Sequence, residues 1–363
     1  MVREVQPLVV DLRIPYCIRK EPYYRHLQLS GSNGEKNAYM AALKRELLSW
    51  EGELEGYEVS ALRLLGPSAT VMSPDLLGDL LKTAREILPM AHGAEVSVDT
   101  HPVTVGTPSL TGLAAGRPNR MELMMRSGSD EELRALGCVH TMQQLKNAVL
   151  FFNRFHVNNF GLTVDLGAPG QTQQSFHNTL HACTIIRPAH IHLQTPDERD
   201  AEGMPDEETR FSLYREGCAF LAAEGYRQYA AADFCLPEHA CRHTLSLLEG
   251  AAHLGMGLGA VTLLDGYLTR NTNNPAIYLA HAGDFEKTTA EAYSADAAYL
   301  MREYVRQRLQ AAEGLSNAAF QARFGCAVPS SLREELERQA EAGDLTVSDN
   351  GYFPTEHGLF RCL

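Results

Sequence analysis

At 363 residues, 44% of them hydrophobic, with 45 Asp plus Glu against 32 Lys plus Arg, the chain carries a net charge of −13. That length suits one large barrel plus a smaller domain, or two to three average domains, and that charge argues against a sequence-independent nucleic-acid binder or a partner of an anionic membrane surface, both of which need basic faces. Eight cysteines lack the short, even spacing of a disulfide framework, the first residues lack a cationic stretch followed by an apolar run, and no segment reaches the roughly 18 apolar residues of a membrane span, so a cytoplasmic protein is expected.

Residues 7–15 carry Val9, Val10, Leu12 and Ile14 and predict a buried strand ended by proline. Tyr39, Leu43 and Leu47 at helical spacing predict a helix over 36–49. The pattern repeats with a strand at 58–65, a Gly-Pro-Ser turn, and a helix opened by an N-cap Ser73 with Pro74 at its first position. A third strand at 95–98 precedes a loop. Strand 120–125 with helix 130–136, helix 141–155 with strand 160–166, and helix 172–186 with strand 190–194 complete about six units. Strands alternating with helices imply a parallel sheet, and six units are enough for a partial barrel only.

The acidic, polar stretch 195–208, with Pro196, Gly203 and Pro205, reads as a linker or lid, dividing a barrel over 1–200 from a C-terminal domain over 201–363. Beyond it, Gly255 to Gly259 reads as a tight turn under the barrel, because the run lacks the strand-turn-helix setting and acidic partner of a dinucleotide site. Residues 329–342 and 345–353 predict a helix and a two-stranded wing.

Several phrases fall in one order along residues 8 to 278: Val164 to Thr172 (Val-Asp-Leu-Gly-Ala-Pro-Gly-Gln-Thr), Ser129 to Gly137 with Val139, His140 and Thr141, Gly225-Tyr226 with Tyr229, and Cys241-Arg242-His243. Together they resemble the HemN/HemW family, which includes oxygen-independent coproporphyrinogen oxidases and HemW-type heme chaperones. The resemblance implies an α/β fold: a partial (β/α)6 TIM-like barrel of the radical S-adenosylmethionine type, plus a HemN-like C-terminal accessory domain with a winged-helix-like end.

The departures bear on function. The family holds a four-iron four-sulfur cluster on three cysteines, and S-adenosylmethionine chelates the free iron. Here Ile14-Pro15-Tyr16-Cys17 matches the start of that motif, but Glu21 and Tyr24 stand at the second and third positions, and neither a carboxylate nor a phenol is a usual substitute. The glycine-rich cofactor turn falls at 65–70, where Gly66 remains and Pro67 removes an N–H. The third strand ends in Asp99, His101, Pro102 and Val103, a glutamine is replaced by Arg126, and a later aspartate by Thr163. No iron–sulfur cluster is therefore expected, S-adenosylmethionine binding is put in doubt, and Cys17, Glu21, Tyr24, Gly66, Asp99 and Arg126 read as a degenerate cofactor site.

A histidine that the family's heme chaperones link to heme binding matches His243, while the rest of that motif is lost over Thr244 to Leu248. A neutral imidazole is a competent axial ligand, which makes His243 the leading heme contact, with Cys241, His239, Cys17 and His140 as further donors. Each also has a plain structural reading as a core or strand-end residue. The set Cys235, His239, Cys241 and His243 matches no common zinc spacing, the pairs His177/His181 and His190/His192 suit solvent or core equally well, and no metal site is assigned. Three functions follow as expectations: a protein binding heme or another tetrapyrrole for trafficking or storage; a non-catalytic subunit paired with an active radical enzyme or with itself; or a cluster-independent enzyme using a polar pocket around Glu21, Tyr24, Asp99 and Arg126.

Overall fold

The structure, a computed structural model, describes residues 5–23, 27–196 and 203–363. Its first half runs β1 (Gln6–Arg13), α1 (Asn33–Leu48), β2 (Tyr57–Leu65), α2 (Pro74–Ile87), β3 (Met90–Thr100), α3 (Thr107–Ala114), β4 (Arg120–Arg126), α4 (Asp130–Ala135), α5 (Met142–Arg154), β5 (Phe160–Asp165), α6 (Gln173–Ile186) and β6 (His190–Gln194). Helix starts are set locally: Ser32, Thr141 and Thr172 cap α1, α5 and α6 in reciprocal capping boxes. Strands β1 to β6 pair in sequence order and in parallel, as the alternation of strands and helices predicts.

Register sorts the side chains into two faces. Val10 pairs with Leu62, Leu62 with Val96, Leu123 with Leu162 and Leu162 with Ile191, and this buried apolar row forms the core beneath the helices. Because successive strand residues point to opposite faces, the intervening row meets on the concave side. There Asp11 lies opposite Arg63, Arg63 opposite Ser97, Asp99 opposite Glu122, and Thr163 opposite His192. The outer face is thus hydrocarbon and the inner face ionic.

The second half comprises α7 (Glu207–Ala223), β7 (Arg227–Gln228), β8 (Asp233–Cys235), α8 (Arg242–Leu248), β9 (Ala252–Met256), β10 (Val261–Leu264), β11 (Tyr267–Asn271), α9 (Pro275–His281), α10 (Phe285–Thr288), β12 (Thr289–Ser294), α11 (Ala297–Gln310), β13 (Leu315–Ser316), α12 (Asn317–Phe324), α13 (Ser330–Glu341), β14 (Leu345–Ser348), β15 (Gly351–Pro354) and α14 (Glu356–Phe360). It extends the same sheet at both ends, giving the order β12-β11-β10-β9-β1-β2-β3-β4-β5-β6-β8-β7 without closure. The sheet crosses the division that the sequence places at residue 200. Strand β9 adds in parallel to β1, so Gly255 belongs to a strand and only Gly257 to Gly259 turns the chain. Glycine hides this strand from a periodicity argument, but the close approach of its hairpin partner requires it: a Cβ at Gly255 would lie 2.4 Å from the Val261 carbonyl oxygen.

Two further elements differ from the sequence expectation. Residues 107–114 form α3 where a loop is expected, and the wing has three strands, β13-β15-β14, because Leu315–Ser316 is too short to leave a pattern. The wing has its own core, in which Tyr304, Leu309, Phe320, Leu336 and Tyr352 pack together. Among the described residues no helix is long and apolar enough to cross a membrane.

Candidate functional site

Two groups of sequence-predicted residues lie on the inner face. The first gathers beyond the C-terminal ends of β1 to β5, the end that carries chemistry in barrel sheets of this kind. Cys17 follows β1, is buried, and donates its thiol to the Leu29 carbonyl at 3.5 Å; burial, then the nearby Glu21, pushes that thiol up. Glu21 is buried in an ion pair, its Oε2 3.2 Å from Arg126 Nη1 and its Oε1 accepting the Val139 N–H at 3.0 Å. Burial raises this carboxyl, but His101, Arg126 and the Val139 N–H outweigh it and hold it at about 2.

Arg126 is fully buried at a bulge at the end of β4, with φ +62, and also donates from Nε and Nη2 to Asp165 Oδ2 at 3.0 and 2.7 Å. Asp99 pairs instead with Arg63 at 2.8 Å and accepts the Gly66 N–H at 3.1 Å; burial lifts its carboxyl, with Arg63 opposing. Gly66 is demanded by the fold, since a Cβ there would lie 2.0 Å from the Ile14 carbonyl oxygen. His140 hydrogen-bonds through Nε2 to the Met125 carbonyl at 3.0 Å, and burial, then His101, lowers its pKa to about 4. Tyr24 lies outside the described residues. The space among Cys17, Glu21, Pro67, His101 and Val139 amounts to about 10 Å³, room for about one water at most. The polar pocket expected around Glu21, Asp99 and Arg126 is therefore occupied, among the described residues, by two separate sets of ion pairs.

The second group is centred on α8, which packs on the inner face of β1 and β2. His243 is buried, and its Nε2 lies 2.7 Å from Asp11 Oδ1, while His253 Nε2 on β9 lies 3.0 Å from Asp11 Oδ2. Burial raises Asp11, yet the two imidazoles hold its carboxyl well below the usual range. His243 and His253 line a cleft of about 610 Å³ with Leu247, Leu248, Leu263 and Leu268 on its walls. Arg63, Arg270 and Arg306 are at its margin; Arg270 and Arg306 pair there with Glu291 and Glu303. Cys241 points elsewhere: its thiol, pushed up to about 12 by burial and then by Glu95, donates to Glu95 Oε1 at 3.3 Å. His239 is half-buried between β8 and α8, where its carbonyl accepts from Arg120. His253 and Asp11 are the residues that sequence reasoning does not reach. The available signal was an aspartate in an otherwise apolar strand, Val9-Val10-Asp11-Leu12, which needs a buried partner.

No family model matches the chain. Two proteins named heme chaperone HemW match it from end to end: that of Escherichia coli strain K12 is 25% identical, with 98% of this chain and 96% of the relative covered, and that of Haemophilus influenzae is 22% identical with the same coverage. The solved structure of coproporphyrinogen III oxidase (HemN) from Escherichia coli, a radical SAM enzyme, superposes with a TM-score of 0.84 at 19% identity, covering 98% of this chain and 88% of that one. The chain is similar along its whole length to proteins of the HemN/HemW family. The first group contains the residues expected from the sequence at the family's cofactor end, and the second contains His243, expected from the sequence as the leading heme contact. The donors present do not fit a cluster held by three thiolates: Cys17 is one thiol, Glu21 is tied to Arg126, and Tyr24 stands at the third position.

Proposed function

We propose that this chain binds heme or another tetrapyrrole, for trafficking or storage, without assembling an iron–sulfur cluster. The observation that carries this reading is the cleft on which His243 and His253 converge. Its volume lies within the range of about 300–1,000 Å³ usual for small-ligand sites, with apolar walls for a macrocycle and arginines at the margin for its carboxylates. A carboxylate that accepts a ring N–H fixes the imidazole tautomer and raises ligand basicity. With Asp11 ionised and accepting from both Nε2 atoms, each ring presents Nδ1 as its lone-pair nitrogen. The names of the HemN/HemW relatives, heme chaperones, support the same cargo.

The cluster-free part of the reading rests on Glu21 and Arg126. A carboxylate locked in a buried ion pair at the second ligand position leaves Cys17 as the one thiol of the three-residue motif available to iron among the described residues. The test is an anaerobic reconstitution followed by hemin titration of the full chain. A saturable Soret shift that weakens at least tenfold in His243→Ala or His253→Ala supports heme carriage, and no saturable shift refutes it. Iron and acid-labile sulfide near background support the cluster-free reading; a stoichiometric cluster refutes it.

A further inference from the structure

We propose that Glu21, Cys138 and His140 form a mononuclear divalent-cation site, of the zinc class, beside the position of the family's cluster. The proposal rests on the cluster-free reading above and adds what the altered residues hold instead. Cys138 and His140 lie on the turn between α4 and α5, and Glu21 on the loop after β1, 117 residues away from Cys138 by number. The chain nevertheless brings a ligand atom of each within 4.8 Å of the other two, and all three residues are buried. Tetrahedral zinc bonds of about 2.0–2.3 Å put ligand atoms about 3.5 Å apart, so a modest contraction closes the set.

The state of the imidazoles supports the assignment independently. His140 Nε2 faces the Met125 carbonyl, which can only accept, so the proton sits on Nε2 and Nδ1 carries a lone pair. That Nδ1 is buried without a hydrogen-bond partner, as is His101 Nε2, with the two rings 5.0 Å apart. Buried polar atoms in native proteins are almost always paired, and an unpaired lone-pair nitrogen, His140 Nδ1, beside a carboxylate and a thiol calls for an electrophile. The bond from His140 to a backbone carbonyl is the outer support that metal-ligating histidines ordinarily have. His101 Nδ1 accepts the Val103 N–H at 3.3 Å, so its Nε2 carries a proton, 3.6 Å from Glu21 Oε1. His101 is thereby a positioning residue for Glu21.

Charge and ligand chemistry select the ion. Glu21 and Asp165 bring two negative charges against the one positive charge of Arg126. A divalent ion that displaces the Cys138 proton to solvent leaves the buried group neutral. Thiolate and imidazole favour zinc over magnesium or calcium, which prefer all-oxygen sites. The small space beside Glu21 can admit a water as fourth ligand.

The test uses the full chain, stripped with chelator, then titrated with cobalt(II) as a spectroscopic probe and with zinc. Expected are about one metal per chain and a thiolate-to-cobalt charge-transfer band. Cys138→Ser should abolish the band, His140→Gln should weaken binding at least tenfold, and Cys241→Ser, a buried thiol outside the set, should change neither. A folded wild-type chain with no band and no iron overturns the site alone, as does a band that survives Cys138→Ser. Stoichiometric iron and sulfide overturn the cluster-free reading and the site with it.

Discussion

Asp11 holds two imidazoles, one through each carboxylate oxygen, and so fixes the ring states on which the heme reading depends. Asp11→Ala should lower hemin affinity about 10- to 100-fold, the usual cost of removing a ligand's supporting group; hemin titration reads it directly. Arg126 holds Glu21 and Asp165 in the same way. Arg126→Gln leaves two carboxylates buried without their cation and should cost about 3–5 kcal/mol in urea unfolding. His140 sets a pH dependence in metal-free protein. Its folded pKa of about 4 lies below the ordinary value of about 6.5. Between those values the unfolded chain binds a proton that the folded chain excludes, so stability falls as pH drops from about 6.5 to about 4. His190, depressed chiefly by burial, acts in the same direction; His192, raised by Asp233 against burial, opposes it and loses its contribution as pH rises through its raised pKa. Unfolding midpoints at a series of pH values should show a net loss on acidification that His140→Gln flattens.

At the scale of elements, α1 is tied to the turn after β9 by one buried carboxylate. Glu46 accepts from Tyr278 Oη, Asn271 Nδ2 and the Gly257 N–H at 2.5, 2.7 and 2.8 Å. Glu46→Ala leaves Tyr278 Oη and the Gly257 N–H without this acceptor and Asn271 Nδ2 with only the Gly257 carbonyl, and a loss of about 3 kcal/mol is expected by denaturant titration. The end of β2 meets the end of β1 as closely, and Gly66→Ala should destabilise by about 3 kcal/mol through the clash with the Ile14 carbonyl, with or without ligand. The six parallel strands were legible in the sequence because each is an apolar run between helical patterns. Helix α3 was not, since Pro108 and Gly112 interrupt its eight residues and another glycine, Gly106, caps its start.

Across the whole molecule, one sheet carries both halves of the chain, and its inner side collects acids, arginines and histidines from β1 to β6, β8 and β9. The cleft lined by His243 and His253 draws residues from Arg63 to Gln310, that is from β2, α8, β9, β10, β11 and α11. Such a surface exists only when β9 closes against β1. A fragment ending at residue 200 would leave β1 as an open edge and Asp11 without His243 and His253, and an unpaired edge is prone to association. That fragment should aggregate on expression, whereas the full chain stays dispersed; size-exclusion chromatography of both decides the point.

The sequence by itself determined the parallel α/β architecture, the winged end, the resemblance to the HemN/HemW family, and the presence of Glu21 and Tyr24 at two positions of its cysteine motif, because periodicity, turn residues and residue spacing are local and survive one-dimensional reading. His243 and Arg126 were singled out the same way. What only the tertiary structure decided is partnership: that Arg126 binds Glu21 and Asp165, that His253 joins His243 across Asp11, and that Glu21 reaches Cys138 and His140. These contacts span up to 242 residues and depend on strand register, which sends alternate side chains to the inner face and sets which of them meet.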